Sequence, residues 1–228
     1  MSNGQGWRNR PWSDIPSTMG LAPFFFDHFK PGDCILDLGC GPGRICIDLA
    51  GRGFTRIHGL DVSHSGLARA ARLGLEIPPP SVRPRFTLGL SSALPYRTAG
   101  FDGLIMQAVL TLIWKTEERE RTGSEIGRVL NRTGRLYLAD FGQAWDNPRY
   151  ETRYREGLRR GYDRGVFEVT DPETGRLDYK ARHYTREEIV EFCRTAGLEP
   201  IEYQARISTT RTGQRIPGHV VVAEKNGR

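Results

Sequence analysis

The sequence predicts a doubly wound α/β domain, on three observations. Cys34, Ile35, Leu36 and Leu38 form a short, nearly continuous apolar run, as expected of a parallel strand covered on both faces. That run passes at once into Gly39, Gly41 and Gly43 and then into a helical stretch, so glycines occupy the joint where the backbone must turn tightly and approach a ligand. A second short strand, residues 56–60, ends in Asp61, at about the spacing from the loop at which an acid reaches a ribose in nucleoside-binding α/β folds. The plainer alternatives are a simple tight turn for the glycines, and for Asp61 an N-cap on the helix that starts near Ser63.

The other elements follow in chain order. Residues 7–29 hold Trp7, Trp12 and the run Phe24, Phe25, Phe26 and Phe29. The last three share a helical face and predict a helix packed on the sheet, whereas Trp7 and Trp12 are placed to close over a ligand. Residues 45–50 continue the glycine loop as a helix stopped by Gly51 and Gly53. A helix over 65–73 leads through the proline turn at 78–80 into a third strand around 85–88. A fourth strand, 104–106, ends at Gln107, a charged helix covers 117–130, and a fifth strand covers 135–140. Residues 142–182 read as an insertion, a Tyr-rich helical stretch and then a hairpin of 166–170 with 177–180. Thr185 with Glu188 makes a capping box for a last helix ended by Gly197, and 201–207 and 219–223 supply two closing strands.

The loop also selects the ligand. A dinucleotide fingerprint would need glycine at position 44, where this chain has Arg44 and carries its third glycine at 43. Asp37 beside the loop would repel a pyrophosphate but suits a ligand bearing positive charge. S-adenosylmethionine, with an ammonium and a sulfonium, is such a ligand. The run Asp37, Gly39, Gly41 and Gly43 resembles the glycine-rich motif of the class I S-adenosylmethionine-dependent methyltransferases. Leu94-Pro95 and Phe101-Asp102 are similar to that family's next motif, and 131–141 to its turn into the fifth strand. The resemblance covers about residues 20–141 and 183–225. It implies a seven-stranded, mostly parallel sheet with an antiparallel last strand, and a cofactor site of Asp37, Gly39, Cys40, Gly41, Gly43, Asp61, Val62, Ser91, Ser92 and Gln107. In that site Asp61 meets the ribose and Val62 the adenine. Leu90 stands where the family often has aspartate, so the adenine contact passes to Ser91, Ser92 or backbone groups.

Several function classes are disfavoured. DNA amino-methyltransferases show an Asp/Asn-Pro-Pro-aromatic motif at the end of the fourth strand, where this chain has Gln107-Ala108-Val109-Leu110. Metal-dependent O-methyltransferases place carboxylates at the ends of both the fourth and the fifth strands. Gln107 replaces the first, and Asp140 alone, or Asp146 with Asn147, makes no convincing site, so no metal is expected. Cys34, Cys40, Cys46 and Cys193, without a Cys-x-x-Cys pair, read as packing residues. The net charge of +6 is spread along the chain, with Arg206, Arg211 and Arg215 as a local basic run, which does not favour nucleic acid. No apolar run approaches the roughly 18 residues of a membrane helix, and the N-terminus lacks a signal pattern. A cytoplasmic protein of one domain over 1–228 is the expectation.

The expected activity is methyl transfer from S-adenosylmethionine to a nucleophilic atom of a small molecule, one with an anionic group included. Residues 1–29 are expected to form a helical lid region. Residues 142–182 are expected to cap the acceptor pocket, their nine Lys and Arg being nearly matched by eight Asp and Glu. Tyr150, Tyr154, Tyr162 and Phe167 offer either apolar walls or packing of the insertion against its own hairpin. His64, His183, Tyr162 and Tyr184 are the candidates for a base or aligner, although displacement at a sulfonium methyl needs alignment more than a base. Two other readings stay open, an RNA or protein methyltransferase and a non-catalytic cofactor-binding subunit.

Overall fold

Short parallel strands buried on both faces build the centre of the molecule. The computed structural model describes residues 19–79, 82–171, 173–210 and 213–225. Its strands are β1 (Cys34–Leu38), β2 (Arg56–Asp61), β3 (Arg85–Leu88), β4 (Phe101–Gln107), β5 (Leu130–Phe141), β6 (Val166–Thr170), β7 (Leu177–Arg182), β8 (Leu198–Thr209) and β9 (Arg215–Lys225). Seven of them form one sheet in the order β3-β2-β1-β4-β5-β9-β8, and β6 with β7 form a separate hairpin. Strands β1 to β5 pair in parallel, while β9 runs antiparallel to both β5 and β8. The expected fold class is the observed one.

Alternation along each strand sends side chains to two helical layers. Leu36, Leu38, Leu104, Met106, Leu136 and Leu138 share a buried cluster with Ile126 and Val129 of α4 (Thr116–Val129) and Ile189 and Phe192 of α6 (Arg186–Thr195). Ile35, Ile57, Ile105, Tyr137 and Val222 cluster instead with Phe25 of α1 (Phe25–His28) and with Ile45 and Leu49 of α2 (Arg44–Gly51). Each such fully buried aliphatic side chain is worth about 1.5–3 kcal/mol. The expected phenylalanine helix is a single turn. Phe29 has left it for extended backbone, in keeping with Pro31 two residues on. Its ring nevertheless stacks on Phe25 at 4.4 Å, in space that a Cβ at Gly103 would fill.

Local capping sets the helix starts. Helix α3 (His64–Leu75) is capped by Ser63, whose hydroxyl accepts from Gly66 N at 3.1 Å, so Asp61 is not the cap. At α6 both bonds of the Thr185/Glu188 capping box form, a device worth about 1 kcal/mol. Strands β8 and β9 run well beyond the expected limits, because Pro200, beside a register irregularity in β8, and Pro217-Gly218 in β9 read as strand breakers yet lie within paired strands. Strand β5 starts at Leu130, where a register irregularity lets it pair with Phe101 before Gly103 meets Arg135.

The insertion carries α5 (Pro148–Arg159) and the β6/β7 hairpin. Tyr150, Tyr154, Phe167 and Ala181 form its own buried core together with Ile216 of β9, and Phe141 of β5 packs against it. Of the four aromatics offered as acceptor walls, these three pack the insertion against itself, and Tyr162 alone stays half-buried.

Candidate functional site

The glycine loop lies at the carboxyl edge of β1. Gly39, Gly41 and Gly43 adopt φ of 78°, 50° and 79°, a left-handed backbone that favours glycine. Its amides are already used. Gly39 N and Cys40 N donate to Leu60 O at 2.7 and 3.1 Å, Gly41 N to Asp61 Oδ2 at 2.8 Å, and Gly43 N to Cys40 O at 2.9 Å; Pro42 has no N–H. A pyrophosphate cradle requires free amides, so this loop does not provide one. It offers carbonyls, glycine Cα atoms and nearby carboxyls, a surface of acceptors. That surface fits S-adenosylmethionine, whose ammonium and ribose hydroxyls are donors and whose sulfonium is cationic.

The side chains around the loop differ in how free they are. Asp61 accepts from Gly41 N and, through Oδ1, from Ser63 N at 2.8 Å, so it braces the loop with one lone pair of each oxygen engaged. Asp37 is buried, with the Cys46 thiol 3.4 Å away as a donor. It lies buried rather than as an open anion, and that burial pushes its carboxyl up to about 7. Cys40 is buried and Val62 half-buried beside Asp61. Ser91 turns its hydroxyl to Thr122 at 3.2 Å, with half-buried Ser92 next to it. At the tip of β4, Gln107 donates through Nε2 to Gly20 O at 3.2 Å, and its buried Oε1 has no partner.

Residues 19–22, inside the region expected as a helical lid, form an irregular strap across this edge. Met19 O accepts from the Arg44 guanidinium, Gly20 O from Gln107 and from Arg206 Nη1 at 3.4 Å, and Ala22 N donates to Tyr137 Oη at 2.8 Å. Arg44, visible in sequence only as a departure from the dinucleotide pattern, is the side chain that ties the strap to α2. The expectations for Trp7 and Trp12, and for Arg211, fall outside the described residues.

On the acceptor side the turn after β4 is held from three directions. Ala108 takes φ of 52°, with its N–H on Ala139 O at 2.8 Å. Fully buried Asp140 accepts from Thr111 N at 3.0 Å and Phe141 N at 2.7 Å, and burial pushes it up to about 7. Tyr184 places its hydroxyl 2.9 and 3.0 Å from the Leu110 and Ile113 carbonyls. Asn147 caps α5. Among the described residues no group of three His, Cys, Asp or Glu stands together for a metal.

The proposed base candidates are not alike. His64 is exposed at the start of α3. His183 is buried, its Nδ1 2.6 Å from Tyr154 Oη, and burial followed by the Arg153 charge pushes it down to about 3. Burial holds the Tyr184 hydroxyl well above its usual range. Tyr162 donates to Glu168 at 2.7 Å, and Lys180 Nζ sits 3.9 Å from its ring and 4.6 Å from that of Trp114. His183 makes a pH prediction. Its folded pKa lies below its usual 6.5, so between about 3 and 6.5 the unfolded chain binds more protons and stability falls as pH falls. Asp37 and Asp140, raised from 3.8, act in the opposite sense between about 4 and 7. The His183→Gln variant separates the two. The wild-type advantage over it is expected to shrink by on the order of a few kcal/mol from pH 6.5 towards 4 in urea denaturation. A difference independent of pH would contradict a buried neutral His183.

Comparison with known proteins agrees with this geometry. A family profile described as a methyltransferase domain matches residues 35–134. A SAM-dependent methyltransferase of Methanosarcina mazei, known from its crystal structure, is 31% identical with a TM-score of 0.86, over 91% of this chain and 99% of that one. An O-methyltransferase of Aspergillus sclerotiorum, resE, is 28% identical over 175 residues, 75% of this chain and 57% of that one, so the chain spans little more than half the length of this relative. The 1,6-didemethyltoxoflavin-N1-methyltransferase of Burkholderia thailandensis, crystallised with 1,6-didemethyltoxoflavin and S-adenosylhomocysteine, shares the fold at 21% identity and a TM-score of 0.60, over 85% of this chain and 71% of that one. With its sheet order, its acceptor-lined glycine loop and these likenesses, the chain belongs to the class I S-adenosylmethionine-dependent methyltransferases.

Proposed function

We propose that the chain transfers a methyl group from S-adenosylmethionine to a nucleophilic atom of a small molecule bearing an anionic group, without a metal ion. The observation that carries this reading is the double roof at the carboxyl edge of the sheet. The strap at 19–22 covers one side, and the insertion, docked through its own core on Ile216 and Phe141, stands on the other. Such a roof suits a small acceptor shielded from water better than an extended polymer. The nearly balanced charge of the insertion fits a cover rather than a phosphate-tracking arm. Arg206 and Arg215, on β8 and β9 at the same edge, are the cations assigned to the anionic group.

When bound, the cofactor supplies an electrophilic methyl on a sulfonium. The residues of the chain bind and orient. Asp61 is assigned to the ribose hydroxyls, Val62 to the adenine face, Ser91 and Ser92 to the adenine edge, and Gly39, Cys40, Gly41 and Gly43 to the walls. The unpartnered Oε1 of Gln107 is assigned to the ammonium end, with Asp37 supporting the loop from beneath. The oxygens of Asp140 are spent on backbone amides, which supports a reaction without a metal. The name of the Aspergillus relative makes an oxygen the first acceptor atom to test.

Incubation with methyl-labelled cofactor and separate metabolite, RNA and protein fractions of a cell extract tests the reading. Label is expected in the metabolite fraction and is expected to persist in the presence of a chelator. Label in RNA or protein would overturn the acceptor class, and binding of S-adenosylhomocysteine with no label in any fraction would make the chain a non-catalytic subunit.

A further inference from the structure

The amino-terminal edge of the sheet, opposite the glycine loop, holds a pocket of about 410 Å³. Strand starts that are scattered in sequence bring four arginines to it. Arg56 opens β2, Arg83 and Arg85 flank the start of β3, and Arg97 lies in the loop before β4. Its floor is aromatic. His58, Tyr96 and Phe101 meet edge to face, with ring centroids 5.0 to 6.0 Å apart.

The charges there are poorly compensated. No carboxylate lines the pocket. Of the acids at this end, Asp33 accepts from Lys30 N at 2.8 Å, and Asp102 accepts from Cys34 N at 2.7 Å and Asn131 Nδ2 at 2.6 Å and comes only within 3.8 Å of Arg56 Nη1. Arg83 donates to Ile77 O at 3.2 Å, and Arg85 and Arg97 meet no carboxylate among the described residues. Guanidinium groups around one hollow repel each other, and an apolar floor lowers the local dielectric and deepens the positive potential. A phosphate offers the paired oxygens that guanidinium forks match. The volume falls within the roughly 300–1,000 Å³ of small-molecule sites, and a hollow, unlike a stripe, does not follow a polynucleotide backbone.

We propose that this pocket is a second ligand site that takes a small phosphorylated molecule, its phosphate held by Arg56, Arg85 and Arg97 and its body laid on the His58, Tyr96 and Phe101 floor. It is separate from the cofactor site, since the five residues of β1 between the two edges span about 16 Å at roughly 3.3 Å each. His58 reports on it. Burial first, then Arg85 and Arg56, push its imidazole down, while Tyr96 and Phe101 face it as rings. A phosphate between those guanidinium groups offsets their charge and raises the His58 pKa.

The probes are inorganic phosphate, phenyl phosphate and a short single-stranded RNA, added at matched ionic strength to the whole chain saturated with S-adenosylhomocysteine. NMR is expected to show saturable shifts of the His58 ring signals and a raised pKa with both phosphates, phenyl phosphate binding more tightly. Combining Arg85→Ala with Arg97→Ala is expected to weaken binding at least about tenfold, with S-adenosylhomocysteine affinity unchanged. Both side chains are exposed, and the Arg85→Gln, Arg97→Gln pair gives the same reading if the alanine pair fails to fold. Shifts that chloride reproduces, unchanged binding in the double variant, or saturation by the RNA alone would overturn the proposal. Failure of S-adenosylhomocysteine to bind would count against the methyl-transfer reading and leave this one to the phosphate titration.

Discussion

Replacing Gly39 by alanine is expected to cost about 2–5 kcal/mol of stability and to abolish measurable cofactor binding at ordinary ligand concentrations. Two terms add. The left-handed backbone at φ of 78° costs an L-residue about 1–2 kcal/mol. A Cβ there would also overlap the Val109 Cγ2 methyl, and overpacking of that kind costs about 1–3 kcal/mol. The clash drives apart the glycine loop and the turn after β4, the two walls of the proposed site. Adding Val109→Ala is expected to recover the overpacking share and leave the backbone share. Urea denaturation of the four-member cycle and calorimetric titration with S-adenosylhomocysteine would measure both. A Gly39→Ala variant as stable as the wild type would show that the loop does not hold this conformation.

Asp61→Ala is expected to weaken S-adenosylhomocysteine binding by about 1.5–3 kcal/mol, because charged hydrogen bonds from a carboxylate to ribose hydroxyls are only partly replaced by water. The structure adds a second cost. Gly41 N and Ser63 N lose their acceptor, which is expected to remove about 1–3 kcal/mol of stability. Asp61→Asn separates the roles, since its one carbonyl oxygen can brace only one of the two amides. Unchanged affinity in a folded Asp61→Ala protein would leave Asp61 a brace of the loop and nothing more.

Much of the molecule was legible because its signals are local. The apolar run from Cys34 into three glycines, the Thr185/Glu188 box and the turn-bounded hairpin of the insertion each specify an element within about ten residues, so periodicity and turn chemistry sufficed. The ends of β8 and β9 were less legible, because Pro200 and Pro217-Gly218 signal a break along the chain, whereas pairing with neighbours in space carries both strands through them. The helical face of Phe25, Phe26 and Phe29 misled for a related reason. Aromatic rings reach far enough for Phe25 and Phe29 to stack even though the helix between them stops.

By itself the sequence determined the fold class, the place of the glycine loop and the kind of ligand that its acids and the arginine at position 44 allow. What only the tertiary structure decided is which groups remain free to act. Asp37 is buried beside Cys46, Ser91 faces Thr122, Gln107 and Arg206 hold Gly20, and Arg44 holds Met19. Hydrogen-bond satisfaction and desolvation are set by neighbours in space, and Gln107 and Gly20 stand 87 positions apart. The arginine pocket arises in the same way. Along the chain these arginines are scattered over three separate strand starts, but a parallel sheet aligns the starts of its strands at one edge and so gathers Arg56, Arg83, Arg85 and Arg97 around a single hollow.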